Sequence, residues 1–315
     1  MKVLIIAKCN AGKFSPFVVE QAESLRSIGV DIDYYGITEK GIKGYLNIKR
    51  LMQKIKSFHP DILHAHYGLS GFLANLQRNI PIVTTFHGCD VNSIKLRWIS
   101  RIVMYFSSYV IFVNRKMPDI IHARTAYSVI PCGVDTTVFF PLDQKIAKQK
   151  LGWRLEERKI LFAGAFQNRV KNYKLAYEAV RKLRKVDLVE LDGYDRKTVN
   201  LLLNACDLVL LTSIREGSPQ IIKEAISCNC PIVSVDVGDV KELVAGLENC
   251  FVCQHSADDL SDKIISVLER PKVIEERKSI NKLGLSLQAV AYKIKSIYCD
   301  VLDLSLIHIS EPTRP

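Results

Sequence analysis

Runs rich in β-branched residues alternate with amphipathic helical stretches along this chain, and the alternation starts a second time at residue 159. In the first half the strand-like runs are VLIIA (3–7), VDIDYYG (30–36), DILHAH (61–66), IPIVTTF (80–86), YVIFVN (109–114) and YSVIP (127–131). Between them, segments such as PFVVEQAESLRSIG and GLSGFLANLQRN carry apolar residues at helical spacing. KILFAGA (159–165) is followed by VDLVELDG, DLVLLTS, PIVSVDVG and NCFVC, with helices such as NYKLAYEAVRKLRK between them. Repeated β-α order implies parallel strands, because each crossover helix returns the chain to the same end of the sheet. The expectation is an α/β protein of two Rossmann-like domains in tandem, joined between 132 and 158. A length of 315 residues suits two cores.

Composition narrows the class. With 48% hydrophobic and 24% charged residues the chain reads as globular, and no apolar run reaches the ~18 residues of a membrane span. The start, MKVLIIAKCN, is expected to be a first strand and not a signal peptide. The expected localisation is therefore cytoplasmic, with the inner face of the membrane as a peripheral site. Nine cysteines, an odd number, lie mostly in apolar segments, as free thiols do. Cys228 with Cys230, and Cys250 with Cys253, make a poor zinc set because the first pair is too closely spaced. No bound metal is expected.

The net charge of +11 is concentrated in one half: residues 1–135 hold 17 Lys and Arg against 9 Asp and Glu, the other 180 hold 27 against 24. The densest run, NIKRLMQKIKSF (47–58), places Ile48, Leu51, Met52, Ile55 and Phe58 at helical spacing, with Lys49, Arg50, Lys54 and Lys56 elsewhere around the helix. It reads equally as a core-facing helix with a solvated basic face and as a helix that docks on anionic lipid headgroups. Nucleic-acid binding is not expected, for no aromatic-interleaved basic motif is present.

In doubly wound sheets ligands bind at the carboxyl ends of the strands, so residues there are the candidates. After the first strand, AKCNAGKF has neither the Walker A pattern nor G-x-G-x-x-G, which removes the main support for ATPase and dehydrogenase readings. Its Ala11 and Gly12 would still let a phosphate or sugar approach the backbone. After the third strand come His64 and His66, read as satisfied structural histidines. After the fourth, FHGCD offers His87, read as functional. In the second half Arg169 and Lys171 follow one strand, and Glu216 and Glu224 follow another. REGSPQIIKEA suggests a helix with Ser218 as N-cap and Pro219 as first residue, Glu216 before it and Glu224 in its second turn. Taken alone, such carboxylates usually face water. Together with two cations and a helix N-terminus they suit a diphosphate and a ribose, as in a nucleotide-sugar site.

FHGCD, VIPCGVDTTVFFP, LFAGAFQNRVKN and above all ACDLVLLTSIREGSPQIIKEAISCNCPIVSVDVGDVKEL carry a resemblance to the family 4 glycosyltransferases, extending over nearly all of residues 1–303. The last stretch is similar to that family's pair of glutamates separated by seven residues and to its Ala-x-x-x-x-Pro-Ile-Val and Val-Gly segments. The resemblance implies a GT-B fold, two Rossmann-like domains with parallel sheets facing across a cleft, with no metal and no cofactor beyond the nucleotide-sugar substrate. It also implies a retaining transfer of a sugar to a glycan or lipid-linked acceptor in bacterial surface-polysaccharide synthesis. By it, Glu216 sits beside the donor sugar, Glu224 binds the ribose, Lys171 holds the diphosphate, His87 contacts the sugar, and Gly12 lines the loop facing the phosphates. The 217–220 loop, Gly217, Ser218, Pro219 and Gln220, completes the donor site. Family members often carry Arg directly after the glycine of LFAG; this chain has Ala165 there, and Arg169 would supply the charge.

The domains expected on these grounds are 1–147 for the acceptor, 148–290 for the nucleotide sugar, and a helix over 291–303 that returns toward the first domain. Its Ile294, Ile297, Tyr298 and Val301 are at helical spacing. The final LSLIHISEPTRP, 304–315, resembles translated sequencing-adapter DNA and is expected to be a non-native tail. A GT-B-like sugar-nucleotide epimerase, a phosphorylase, a non-catalytic nucleotide-binding module and a lipid-surface adaptor remain as alternatives.

Overall fold

The computed structural model describes residues 1–39, 41–270 and 277–310, and the chain divides into two compact units. The first comprises Met1–Gly133 and Leu287–Pro315, the second Val134–Ser286. The junction thus falls earlier than the 147/148 expected. The cause is Phe139, fully buried in the core of the second unit, and the segment after it: Leu142 N–H donates to Asn204 Oδ1 at 2.6 Å, and the Gln144 side chain donates through Nε2 to the Ala205 carbonyl at 3.0 Å. The 134–147 segment is an integral part of that unit.

The first unit is a sheet of β1 (Lys2–Asn10), β2 (Lys13–Phe14), β3 (Asp31–Ile37), β4 (Ile62–His66), β5 (Ile82–Phe86), β6 (Tyr109–Phe112) and β7 (Tyr127–Val129). Across the sheet the order is β3-β1-β4-β5-β6-β7, all parallel, and β2 turns back antiparallel on the end of β1. β1 shows why: Leu4 and Ile6 face one core while Val3, Ile5 and Ala7 face another, the period of two expected of a strand covered on both sides. One cover is the Pro16–Ser27 helix, with Pro16 in its first turn and Val18, Ala22 and Leu25 buried on one face. The Leu287–Ser310 helix packs beside it through Val290, Ile294, Ile297, Tyr298 and Val301. This helix begins before the expected 291. The supposed tail lies outside the described residues from 311, and before that only the helical backbone, as far as Ser310, is described.

The opposite face is covered in part by the Ile48–Phe58 helix. Its Leu51 and Ile55 are buried against β1 and β3 residues, and Lys54 pairs with Asp33 while Arg50 donates to Thr38 and lies over the Tyr35 ring. Half of the basic cluster seen in the sequence is therefore occupied in fixing this helix to β3.

The second unit is a five-stranded parallel sheet of β8 (Arg158–Phe162), β9 (Val186–Glu190), β10 (Leu208–Leu211), β11 (Ile232–Val235) and β12 (Cys250–Cys253), in the order β12-β11-β10-β8-β9. β10 and β11 are buried at every residue, as parallel strands between two helical layers must be. The nine cysteines are free thiols, and Cys228, Cys230, Cys250 and Cys253 are buried in this core.

Candidate functional site

In the second unit β9 lies on one side of β8 and β10 on the other, so the direction of winding reverses between β8 and β10. The loops diverging from the carboxyl ends of those two strands leave the crevice in which doubly wound sheets bind ligands. Lys171 follows β8 and Glu216 follows β10, and they meet there: Lys171 Nζ is 2.7 Å from Glu216 Oε1, both side chains being half-buried. The Lys171 loop is tied down on three sides. Phe166 N–H donates to Glu190 Oε1 at 2.5 Å, Asn168 Oδ1 accepts from Val170 N–H at 3.0 Å, and Thr212 Oγ1 donates to the carbonyls of Lys171 and Asn172 at 2.9 and 3.1 Å. Gly164 is required beneath it, since a Cβ there would stand 2.6 Å from Lys171 Cγ and 2.9 Å from Cδ. Ala165 and Arg169 belong to the same loop, Arg169 exposed at its tip.

The helix after β10 runs Gln220–Ser227, so it starts one residue later than the sequence suggests, with Pro219 at the N-cap. Ser218 does not cap it. Its Oγ donates to Asp239 Oδ2 at 2.6 Å and accepts from the buried Lys223 Nζ at 2.9 Å, which binds the Gly217–Pro219 turn to the loop after β11. Burial raises the Asp239 carboxyl above its ordinary range and the Lys223 ammonium opposes that rise. A lysine fully removed from water needs such partners. Lys223 and Asp239 escape a reading of the sequence because each looks like an ordinary helix or loop charge.

Glu224, in the second turn, is buried, and its Oε1 accepts from Arg196 Nη1 at 2.7 Å. The Arg196 guanidinium lies over the Phe139 ring, 4.5 Å from its centroid. Glu224 is thus held by a cation at the start of the Arg196–Ala205 helix, a residue that no motif or spacing singles out. Lys171 and Glu216 form one cluster and Glu224 with Arg196 a second, at two levels of the same helix end.

In the first unit the reversal lies between β1 and β4. Ala11 and Gly12, with φ of 47° and 79°, form a two-residue hairpin turn that pairs Asn10 with Lys13. A cavity of about 280 Å³ opens beside these strand ends, lined among others by Lys8, Asn10, Tyr67, Ser70, Leu96 and Ile99. His87 lies just after β5. Its Nε2 is 3.0 Å from His66 Nδ1, its Nδ1 is 3.8 Å from Cys132 Sγ, and its backbone N–H donates to Asp90. His66 stacks on His64, which is bracketed by Tyr298 OH at 2.5 Å and Thr85 Oγ1 at 2.8 Å. Both inner histidines are fully buried, and burial holds His66 down to about 3 and His64 well below the ordinary imidazole range, so both are neutral. Asp90 gathers the N–H groups of Gly68, His87 and Gly88 at 2.9–3.3 Å. Burial pushes its carboxyl up to about 6 against the pull of those amides.

These two units match known proteins in succession. Residues 5–138 match the profile described as Glycosyltransferase Family 4 and residues 188–284 that described as Glycosyl transferases group 1. A Bacillus subtilis (strain 168) relative, TuaC, named for glycosyl transfer in teichuronic acid biosynthesis, is 26% identical over 243 residues. That match spans 67% of this chain but 62%, less than two thirds, of the relative's length. Sucrose-phosphate synthase from Thermosynechococcus elongatus superposes with a TM-score of 0.85 at 15% identity, covering 96% of this chain and 99% of that one. Anabaena HepE, solved in complex with UDP, gives 0.75 at 16% identity, covering 95% and 100%. The chain therefore carries a Glycosyltransferase Family 4 domain over residues 5–138 and a Glycosyl transferases group 1 domain over residues 188–284, and it has the GT-B fold of these solved structures.

Proposed function

We propose that this chain transfers a sugar, with retention at the anomeric carbon, from a nucleotide-sugar donor to a glycan or lipid-linked acceptor in bacterial polysaccharide synthesis. The observation that carries this reading is the Lys171–Glu216 pair at the β8/β10 crevice, beside the Gln220–Ser227 helix N-terminus. A donor diphosphate would take the Lys171 ammonium, with Arg169 and the helix end completing the positive surface on which charge grows as the phosphate leaves. Glu216 would face the sugar as it acquires oxocarbenium character, and Glu224, oriented by Arg196, would accept from the ribose hydroxyls. Gly217, Ser218, Pro219 and Gln220 would line the donor. No second carboxylate is assigned as nucleophile, unlike in retaining hydrolases. The acceptor hydroxyl would attack the anomeric carbon on the face the phosphate leaves, and its proton would pass to the departing phosphate oxygen.

The UDP bound by a neighbour of the same fold supports a nucleotide sugar as donor. Turnover independent of metal and cofactor belongs to the same proposal, as does peripheral association with an anionic membrane surface on the cytoplasmic side. The decisive experiment is to find a nucleotide sugar that stabilises the protein, supply acceptor extracts, and compare wild type with Glu216→Gln. The variant is expected to lose at least ~10²-fold in turnover with nucleotide affinity nearly unchanged, because the contact is worth most in the transition state. Wild-type turnover in the variant would overturn the assignment, conversion of donor without acceptor would indicate an epimerase, and an absolute need for Mg²⁺ or Mn²⁺ would contradict the mechanism.

A further inference from the structure

The Ile94–Phe106 helix of the first unit is apolar on two faces. Inward, Val103 and Met104 are buried, and Leu96, Ile99 and Ser100 line the cavity beside β1 and β4. Outward, Ile94 is 82% exposed, Trp98 59%, Ile102 39% and Tyr105 75%. At about 100° per residue these four fall within a sector of about 80°. An isolated exposed apolar residue needs no explanation, but a continuous stripe with two aromatic members does. Lys95 borders it on one side and Arg101 on the other, and beyond Phe106, itself 45% exposed, the Arg78 guanidinium lies 4.2 Å from that ring's centroid. From Val91 to Pro118 the chain has five Lys and Arg (Lys95, Arg97, Arg101, Arg115 and Lys116) and no Asp or Glu.

We infer that this outer face, and not the Ile48–Phe58 helix, is the surface by which the protein lies on an anionic lipid bilayer. An apolar and aromatic stripe edged by cations has the chemistry of the headgroup–acyl boundary, where Trp and Tyr are enriched and Lys and Arg meet lipid phosphates. A second copy of the chain is a poorer occupant, since a two-fold contact would set a face with cations and no acidic residue against itself. The same helix supplies the cavity wall, so an amphiphile drawn from the bilayer would meet the cavity by passing from one side of the helix to the other. The inference rests on the membrane association proposed above and changes the element that makes it.

The test is co-sedimentation of the whole chain with vesicles of phosphatidylcholine, with and without phosphatidylglycerol, and with nitroxide-labelled lipid to quench tryptophan. Wild type is expected to bind the anionic vesicles and to be released by ~0.5 M salt, where attraction is screened over a few ångströms. Its emission should be quenched, and Trp98→Phe should abolish the quenching, leaving Trp153 unaffected. Trp98→Ser with Tyr105→Ser, both at exposed positions, should lower vesicle binding at least tenfold while thermal stabilisation by the nucleotide sugar found in the screen is retained. Lys49→Gln with Lys56→Gln should leave vesicle binding within about twofold. Binding lost in the Lys49/Lys56 variant but kept in the Trp98/Tyr105 variant would overturn the assignment to this helix and leave membrane association standing. No binding by wild type would overturn both, without touching the transferase reading, and a concentration-dependent dimer dissolved by the Trp98/Tyr105 changes would assign the face to a second copy.

Discussion

Lys171 reaches Glu216 because residue 164 has no side chain. With a Cβ at 164, the middle of the Lys171 chain would have to move, and the ammonium with it. Lys171→Ala should weaken binding of the donor's nucleoside diphosphate by about 10- to 100-fold, the loss of a charged hydrogen bond, and leave binding of the free nucleoside nearly unchanged. Gly164→Ala should act in the same direction through displacement, with the ammonium still present. Calorimetric titration with both ligands measures this, and equal weakening for the nucleoside diphosphate and the nucleoside in Lys171→Ala would show that the lysine does not meet the diphosphate.

At the scale of elements, what was legible depended on what each element buries. The strands were legible because parallel strands covered on both faces read as unbroken apolar runs, as LVLL and IVSV do. β2 was not, since two residues, Lys13 and Phe14, give no period, and only the small Ala11-Gly12 pair hints at a turn. The Gln220–Ser227 helix starts one residue after the position its capping signal points to because Ser218, a strong capping type, is drawn instead to Asp239 and Lys223. The glutamates showed themselves through spacing, but Arg196 did not: a lone arginine at a helix start looks like solvated charge, and its partner is an element away. That pair predicts its own energetics. Arg196→Leu removes the cation that faces a buried carboxylate and should cost about 3 kcal/mol in chemical denaturation without ligand, whereas Arg196→Leu with Glu224→Leu should recover most of the loss. Equal loss in the single and double variants would mean the two side chains do not stabilise the helices as a pair.

Across the whole molecule, two separate cores respond differently to acid, and the buried groups determine the sign. His66 is neutral in the first unit with its pKa held at about 3, below the ordinary 6.5 of an unfolded imidazole. Between those values the unfolded chain binds the extra proton, so the stability this group confers is present above pH 6.5 and is lost as pH falls. At pH 5 the loss is about 2 kcal/mol, and His64, lowered by the same burial, adds to it in the same sense. Asp90 opposes them: its carboxyl, raised to about 6, favours the folded state as pH drops through that value, by roughly 1 kcal/mol at pH 5. Two losses against one smaller gain leave the first unit weaker in acid. In the second unit the raised Asp239 works in the stabilising sense. Lowering the pH from 7 to 5 should therefore loosen Met1–Gly133 ahead of Val134–Ser286, which peptide-resolved hydrogen exchange in mild urea reports directly. His66→Gln removes one titrating group and should shrink the pH effect on the first unit by about 2 kcal/mol. If both units lose protection together, or if His66→Gln shows the wild-type pH dependence, the buried imidazoles are not what sets the acid response.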